Sequence, residues 1–239
     1  MLRRWARGAF FTSIADGLPS RCAVCHTWPA RPVCEACVAR FAAPTARCAT
    51  CALPVPPGVA RCGACVSSPP PLDACLAACA YAWPWPERIA EFKFRGHPGL
   101  AAPLAALLRS MPWIEPALEG ADLVLPMPLS AARLRERGFN QAHELARRLA
   151  PGRSEPGILL RTRDVPAQSG LTRAERLRNL RGVFALEPLR AEAVRDRRVV
   201  LVDDVMTTGA SLFSAAEALR RGGASHIAAI VLARTDPPA

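Results

Sequence analysis

The run Val199-Val200-Leu201-Val202-Asp203-Asp204-Val205-Met206-Thr207-Thr208-Gly209-Ala210-Ser211 decides the fold class. Four consecutive apolar β-formers predict a strand buried on both faces, the habit of parallel sheets in α/β proteins. The two aspartates then stand at the carboxyl end of that strand, where open α/β sheets bind their ligands. Adjacent carboxylates there suit the vicinal hydroxyls of a sugar. The Thr-Thr-Gly-Ala-Ser turn supplies hydroxyls and free backbone N–H groups, and Gly209 lets the main chain approach an anion before a helix begins. That helix carries apolar residues at Leu212, Ala215, Ala216 and Leu219 and stops at Gly222-Gly223. A diol clamp beside a monophosphate cradle describes a ribose 5-phosphate. A Walker B strand also ends in acids, but it requires a Gly-x-x-x-x-Gly-Lys-[Ser/Thr] partner, and Lys93 has no such context. A receiver domain would carry its acidic pair early and a lysine late, the reverse of this chain.

Outward from this run the alternation of strand and helix continues. Residues 227–232 predict a further buried strand, Asp122-Leu123-Val124-Leu125-Pro126 another, and the apolar run 74–83 a short one. Residues 140–149 and 100–108 read as helices, 87–94 as helical or extended, and the arginines at 133, 135 and 137 as a loop between strand and helix. Residues 151–195 have little apolar periodicity, so part of that stretch is expected to be a long mobile loop. The pattern is that of an α/β domain with a parallel sheet and flanking helices. Composition changes near residue 70, where Ser67-Ser68-Pro69-Pro70-Pro71 reads as a stiff linker or strand approach. The expected division is 1–70, a cysteine-rich module with an N-terminal helix, and 71–239, the α/β domain.

Between Cys22 and Cys65 lie four Cys-x-x-Cys knuckles: Cys22/Cys25, Cys34/Cys37, Cys48/Cys51 and Cys62/Cys65. A two-residue spacer lets both sulfurs of a knuckle reach one tetrahedral ion at about 2.3 Å, and two knuckles close the shell, leaving no open position for chemistry. Two structural Zn²⁺ ions are therefore expected, with first and second knuckles paired, or alternatively a cross-brace. The spacings also suit iron–sulfur ligation, whereas a reducing compartment disfavours disulfides. So proline-rich a segment lacks the apolar residues for a core of its own, which makes metal binding part of its folding. Cys75 and Cys79, in an apolar run, read as buried small hydrophobes, and His26 as a surface histidine.

The whole chain has 239 residues, 51% of them hydrophobic and 21% charged, which excludes disorder as its main state. No uninterrupted apolar window predicts a transmembrane helix, and Asp16 interrupts any secretory signal, so a cytoplasmic location is the default expectation. The amphipathic start, with Leu2, Trp5, Phe10 and Ile14, suits docking on the body of the protein or on a membrane surface, and the first is the expectation. The formal charge of +11 attracts polyanions or phosphorylated ligands without selecting among them, and Lys93 is the single lysine among 31 basic residues.

The 199–211 segment closely resembles the phosphoribosyl pyrophosphate (PRPP) signature of type I phosphoribosyltransferases. With the knuckles, Pro126-Met127-Pro128-Leu129, Arg137-Gly138-Phe139-Asn140-Gln141 and Phe92-Lys93-Phe94-Arg95-Gly96, nearly the whole chain resembles the ComF-like (competence protein F) family, a double zinc ribbon joined to a phosphoribosyltransferase domain. The resemblance implies PRPP bound with Mg²⁺ by Asp203, Asp204, Val205, Met206, Thr207, Thr208, Gly209, Ala210 and Ser211. It implies a pyrophosphate loop at Leu129, Ser130 and Arg133, and catalytic roles for Asp203, Asp204, Arg137 and Lys93. Arg161, Arg163, Gln168, Arg176 and Asn179 would form a flexible loop closing over the site.

Two functions follow from this resemblance. One is transfer of ribose 5-phosphate from PRPP to a nucleobase or other amine, with an acceptor that no residue pattern names. The other is a non-catalytic competence protein that handles single-stranded DNA or a DNA-processing partner and uses the PRPP site as sensor or scaffold. Against direct DNA binding stands an aromatic content of 6%, since single-strand platforms interleave aromatics with basic residues. Trp28, Trp83 and Trp85 suit that role or packing of the zinc module. His143 and His226 read as structural, and the sequence carries no mark of an oligomeric state.

Overall fold

Four of the expected apolar runs do form strands and pair in one sheet. The structure, a computed structural model, describes residues 20–163, 179–180 and 182–236. Its strands are β1 (Ala74–Ala80), β2 (Leu123–Pro126), β3 (Leu159–Arg161), β4 (Phe184–Leu186), β5 (Arg198–Met206) and β6 (His226–Arg234). The main sheet has the order β1-β6-β5-β2, and every pairing in it is parallel. Its helices are α1 (Glu35–Phe41), α2 (Gly63–Ser67), α3 (Trp85–Phe94), α4 (Ala101–Arg109), α5 (Ile114–Glu119), α6 (Ala131–Arg137), α7 (Gln141–Leu149) and α8 (Ala210–Arg221).

The period of two along β5 and β6 sorts their side chains onto two faces. Val200, Val202, Ala228, Ile230 and Leu232 pack with Ile89 and Phe92 of α3, Leu104 and Leu108 of α4 and Leu145 of α7. Val199, Leu201, Ile227, Ala229 and Val231 pack with Leu212, Phe213 and Leu219 of α8 and with Leu159 and Phe184. Both faces are covered, as near-continuous apolar strands demand.

The cysteine-rich module straddles the β1 edge of this sheet. Cys22, Val33, Cys37 and Ala42 join the first apolar cluster, while Cys48, Cys51, Ala52 and Cys65 join the second. The Trp85 indole N–H donates to the Phe41 carbonyl at 2.7 Å, and the Cys75 N–H to the Ala49 carbonyl at 2.8 Å. An edge strand that would otherwise expose unpaired backbone is thereby covered.

One expectation needs correction. The arginines at 133, 135 and 137 lie in helix α6, because Ser130 caps its start by accepting the Arg133 N–H at 3.3 Å and Gly138 ends it with φ +77°. Leu129 to Arg133 is thus a turn followed by a first helical turn. Within 151–195, the described residues carry regular structure that their weak periodicity does not mark. β3 and β4 pair antiparallel, and Pro188–Val194 forms a 3₁₀ helix. The N-terminal helix, Gln168 and Arg176 lie outside the described residues.

Candidate functional site

The knuckles gather sequentially. Sulfurs of Cys22, Cys25, Cys34 and Cys37 lie within 4.8 Å of one another, and so do those of Cys48, Cys51, Cys62 and Cys65. The Cys25–Cys34 and Cys51–Cys62 sulfur separations are 3.6 and 3.7 Å, close to the edge of about 3.8 Å of a tetrahedron with 2.3 Å arms. Backbone N–H groups of Val24 and Cys34 each point at Cys22 Sγ at 3.4 Å, the direction that stabilises a thiolate. The two clusters are built alike. The residue after the second cysteine has positive φ in both, His26 at 61° and Ala52 at 57°, and its N–H turns back to the carbonyl of Cys22 or Cys48. His26 thus serves a backbone turn beside a ligand set already complete with four sulfurs. Cys34 and Cys62 each precede a short helix in extended conformation. Cys75 and Cys79 are buried apart from both clusters, and burial pushes both thiols up to about 12.

At the carboxyl edge of the sheet, β5 carries Asp203 and Asp204 to opposite faces. Asp204 is 3% exposed, and the Lys93 ammonium at the end of α3 lies 2.8 Å from its Oδ1. Its other oxygen, Oδ2, is buried and has no hydrogen-bond partner among the described residues. Asp203 accepts the Asp204 N–H at 2.9 Å. Burial first, and then the charge of Asp204, push its carboxyl up to about 7, against the opposing pull of Lys93 and Arg137.

Arg137, at the end of α6, stacks 4.7 Å from the centroid of Phe94. Burial lowers its pKa, opposed by the charge of Asp204, and its Nε is buried without a hydrogen-bond partner among the described residues. The Phe92 and Phe139 rings, 5.6 Å apart, hold α3 against the 137–141 segment. Asn140 caps α7 through its Oδ1 and donates from Nδ2 to the Met127 carbonyl at 3.0 Å, tying that segment to the end of β2. Two cations, two carboxylates and two buried polar atoms without a partner among the described residues therefore converge, and such atoms call for a polar partner, whether water, ion or ligand.

The loop after β5 is shaped by its glycine. Gly209 has φ +83°, and a Cβ there would stand 2.5 Å from Met206 Cε and 2.7 Å from Phe213 Cζ. No side chain fits, and the main chain is left bare where α8 begins. Thr207 is exposed and Thr208 half-buried, with the Thr208 hydroxyl 3.4 Å from the Ala210 N–H. The backs of Met206 and Thr207 are held by the guanidinium of Arg234, a residue no motif marks. Its sequence signal is a charge ending a strand that is apolar and buried from Ile227 to Ala233.

Of the other marked residues, Ser130 is buried and Leu129 half-buried beside the α6 start. Arg161 reaches over the Phe184 ring at 5.7 Å and donates to the Arg163 carbonyl, both at the end of the β3–β4 pair. Asn179 lies just before Leu180, whose carbonyl accepts from Ser214 of α8. His226 begins β6, at the opposite edge of the sheet from Asp203, 3.5 Å from Asp73. A small cavity of about 100 Å³, lined in part by Leu76, Gly120, Arg198 and His226, also lies at that far edge. Trp85 is 1% exposed and belongs to the core, while Trp28 and Trp83 are each 62% exposed. No helix among the described residues is long and apolar enough to cross a membrane.

Comparison with known proteins places this geometry. Residues 134–238 match the phosphoribosyl transferase domain family. Competence protein F of Haemophilus influenzae is 36% identical over 116 residues, covering 47% of this chain and 50% of that protein. Competence protein ComFC of Bacillus subtilis is 33% identical over 150 residues, 62% of this chain and 59% of its own length. DNA utilization protein YhgH of Escherichia coli K12 is 31% identical over 214 residues, 85% of this chain and 90% of that protein. With 90% of that last protein's length covered at 31% identity, and two four-cysteine clusters beside a phosphoribosyltransferase-like sheet, the chain belongs to the ComF-like (competence protein F) family.

Proposed function

We propose that the chain binds PRPP at the carboxyl end of β5 and transfers its ribose 5-phosphate to an amine or nucleobase, with Zn²⁺ held in the two four-cysteine clusters. The observation that carries this reading is the junction of Asp203 and Asp204 with the bare Gly209 loop, a diol acceptor beside an anion cradle. Ribose hydroxyls donate to Asp203 and Asp204, whose charges also face the positive centre that develops at C1. The 5-phosphate accepts from backbone N–H groups and hydroxyls of residues 207–211, at the start of α8. Lys93 and Arg137 neutralise the leaving pyrophosphate, with Leu129, Ser130 and Arg133 on the same side. Arg161, Arg163 and Asn179 bound the loop that, by the family resemblance, would close over the site against water, while its Gln168 and Arg176 lie outside the described residues.

In the transfer, the C1–O bond breaks and pyrophosphate leaves with its electron pair. The acceptor nitrogen forms the new bond to C1 and gives up a proton. Mg²⁺ bound with PRPP would be held mainly by the substrate's own oxygens and would supply charge neutralisation for the leaving group. Zn²⁺ has a structural part, since four thiolates leave it no open position.

A second reading keeps PRPP binding without transfer, as a sensor in DNA handling. It is favoured by the names of the relatives, which speak of competence and DNA utilization, and by the exposed Trp28 and Trp83 on a basic chain. Pyrophosphate release from PRPP and Mg²⁺ with a panel of nucleobases and simple amines separates the two. Transfer predicts release that depends on one acceptor and fails without it. Saturable PRPP binding with no acceptor-dependent release across the panel would favour the sensor.

A further inference from the structure

We propose that Arg234 couples the second four-cysteine cluster to the 207–209 loop, so that metal in that cluster and PRPP at the strand end each favour binding of the other. This rests on the PRPP reading of the loop. Arg234 ends β6 and is 4% exposed, and with Asp204 it makes up the buried charged side chains among the described residues. Burying a guanidinium is costly unless its donors are used. Here they go to main-chain carbonyls of two different elements. Nε donates to the Cys51 carbonyl at 2.8 Å, while Nη1 donates to the carbonyls of Met206 at 3.0 Å, of Thr235 at 2.5 Å and of Thr207.

The physical logic lies in the direction of the peptide groups. A loop that turns its N–H groups toward a phosphate turns carbonyls away from it, and in a buried turn those carbonyls need donors. A planar guanidinium supplies several in a fixed fork. It also places a positive charge behind the cradle. Its Nε–H reaches Cys51, within a knuckle whose turn, with Ala52 at φ +57° and its N–H on the Cys48 carbonyl at 2.8 Å, is the shape a shared metal would hold. Loss of metal frees the Cys51 carbonyl to move, leaves a buried donor unpaired and loosens the grip on Met206 and Thr207. The first cluster has no such bond to the loop among the described residues. Arg234 is thus a positioning residue.

Linkage is reciprocal, so metal affinity reads it without any turnover. Zn²⁺ affinity of the full-length protein is measured by chelator competition, with and without saturating PRPP and Mg²⁺. PRPP is expected to tighten one of the two Zn²⁺ ions about tenfold and leave the other unchanged. In Arg234→Met, two Zn²⁺ equivalents remain, PRPP binds about tenfold more weakly, and the tightening disappears, while Arg234→Lys recovers part of both. If Arg234→Met does not hold metal, the wild-type comparison alone decides. PRPP binding to wild type with no change in Zn²⁺ affinity, or an equal change at both ions, overturns the coupling and leaves the PRPP site standing. No PRPP binding by wild type overturns the site reading and the coupling with it.

Discussion

Replacing Asp203 and Asp204 together by asparagine is expected to weaken PRPP binding by about two to four orders of magnitude, with both metal equivalents retained. The magnitude follows from losing two charged acceptors, each hydrogen bond to a charged group contributing about 1.5–3 kcal/mol. Single variants should diverge in stability. In the folded protein the Asp203 carboxyl is held up to about 7, well above its ordinary value of 3.8, by burial and by the neighbouring charge of Asp204. The folded state therefore keeps a proton that the unfolded chain releases, and stability falls as pH rises from about 4 through about 7. Asp203→Asn removes that cost. It should melt higher than wild type at pH 8, with the gap closing as the pH falls toward 4, and it should bind PRPP worse.

Asp204→Asn should melt lower, since it strips the buried partner from Lys93. Wild-type PRPP affinity should itself rise with pH through about 7, beyond the share due to phosphate ionisation that Asp203→Asn still shows. Melting curves and titrations across pH check all of this. An Asp203→Asn variant that binds like wild type would remove Asp203 from the site.

Stripping both metal ions is expected to lower the thermal midpoint by roughly 10–20 °C, taking about 5 kcal/mol of net stabilisation and 2–4 °C per kcal/mol for a chain of this size. The effect reaches beyond the module. Cys22 and Cys37 pack into the core on one face of the sheet and Cys48, Cys51 and Cys65 on the other, so loss of metal loosens both faces at the β1 edge. Four protonated or mutually repelling thiols would also be left in contact. Cys75→Ala, at a cysteine outside both clusters, should keep two metal equivalents. Calorimetric melting beside metal analysis reads the result, and an unchanged midpoint after complete metal removal would show that the clusters do not hold the fold.

The proposed ribose site is legible because its parts are local. A strand buried on both faces, two acids at its end and a glycine before a helix need only neighbouring residues, and β5, Gly209 and α8 stand where that pattern places them. The knuckle spacing similarly carried the metal clusters. What escaped depended on contacts distant in sequence. The helix at 131–137 has no apolar stripe and buries none of its residues, so its capping by Ser130 and Gly138 outweighs its lack of periodicity. β3 and β4 are three residues each and pair across more than twenty intervening positions, too short for a period of two to stand out. Arg234 meets Cys51 across 183 residues, a bond that only the straddling of β1 by the cysteine module creates. Trp85 has the same proline-rich neighbourhood as Trp83, yet one is core and the other surface, and local composition does not separate them.

The central claim is that Asp203, Asp204 and the Gly209 loop form a PRPP site. Calorimetric titration of the metal-loaded protein with PRPP and Mg²⁺ at pH 8 tests it most directly. The account predicts saturable binding of one PRPP per chain, lost when Asp203 and Asp204 are both asparagine. Absence of binding at millimolar PRPP, or equal binding by that double variant, would contradict it.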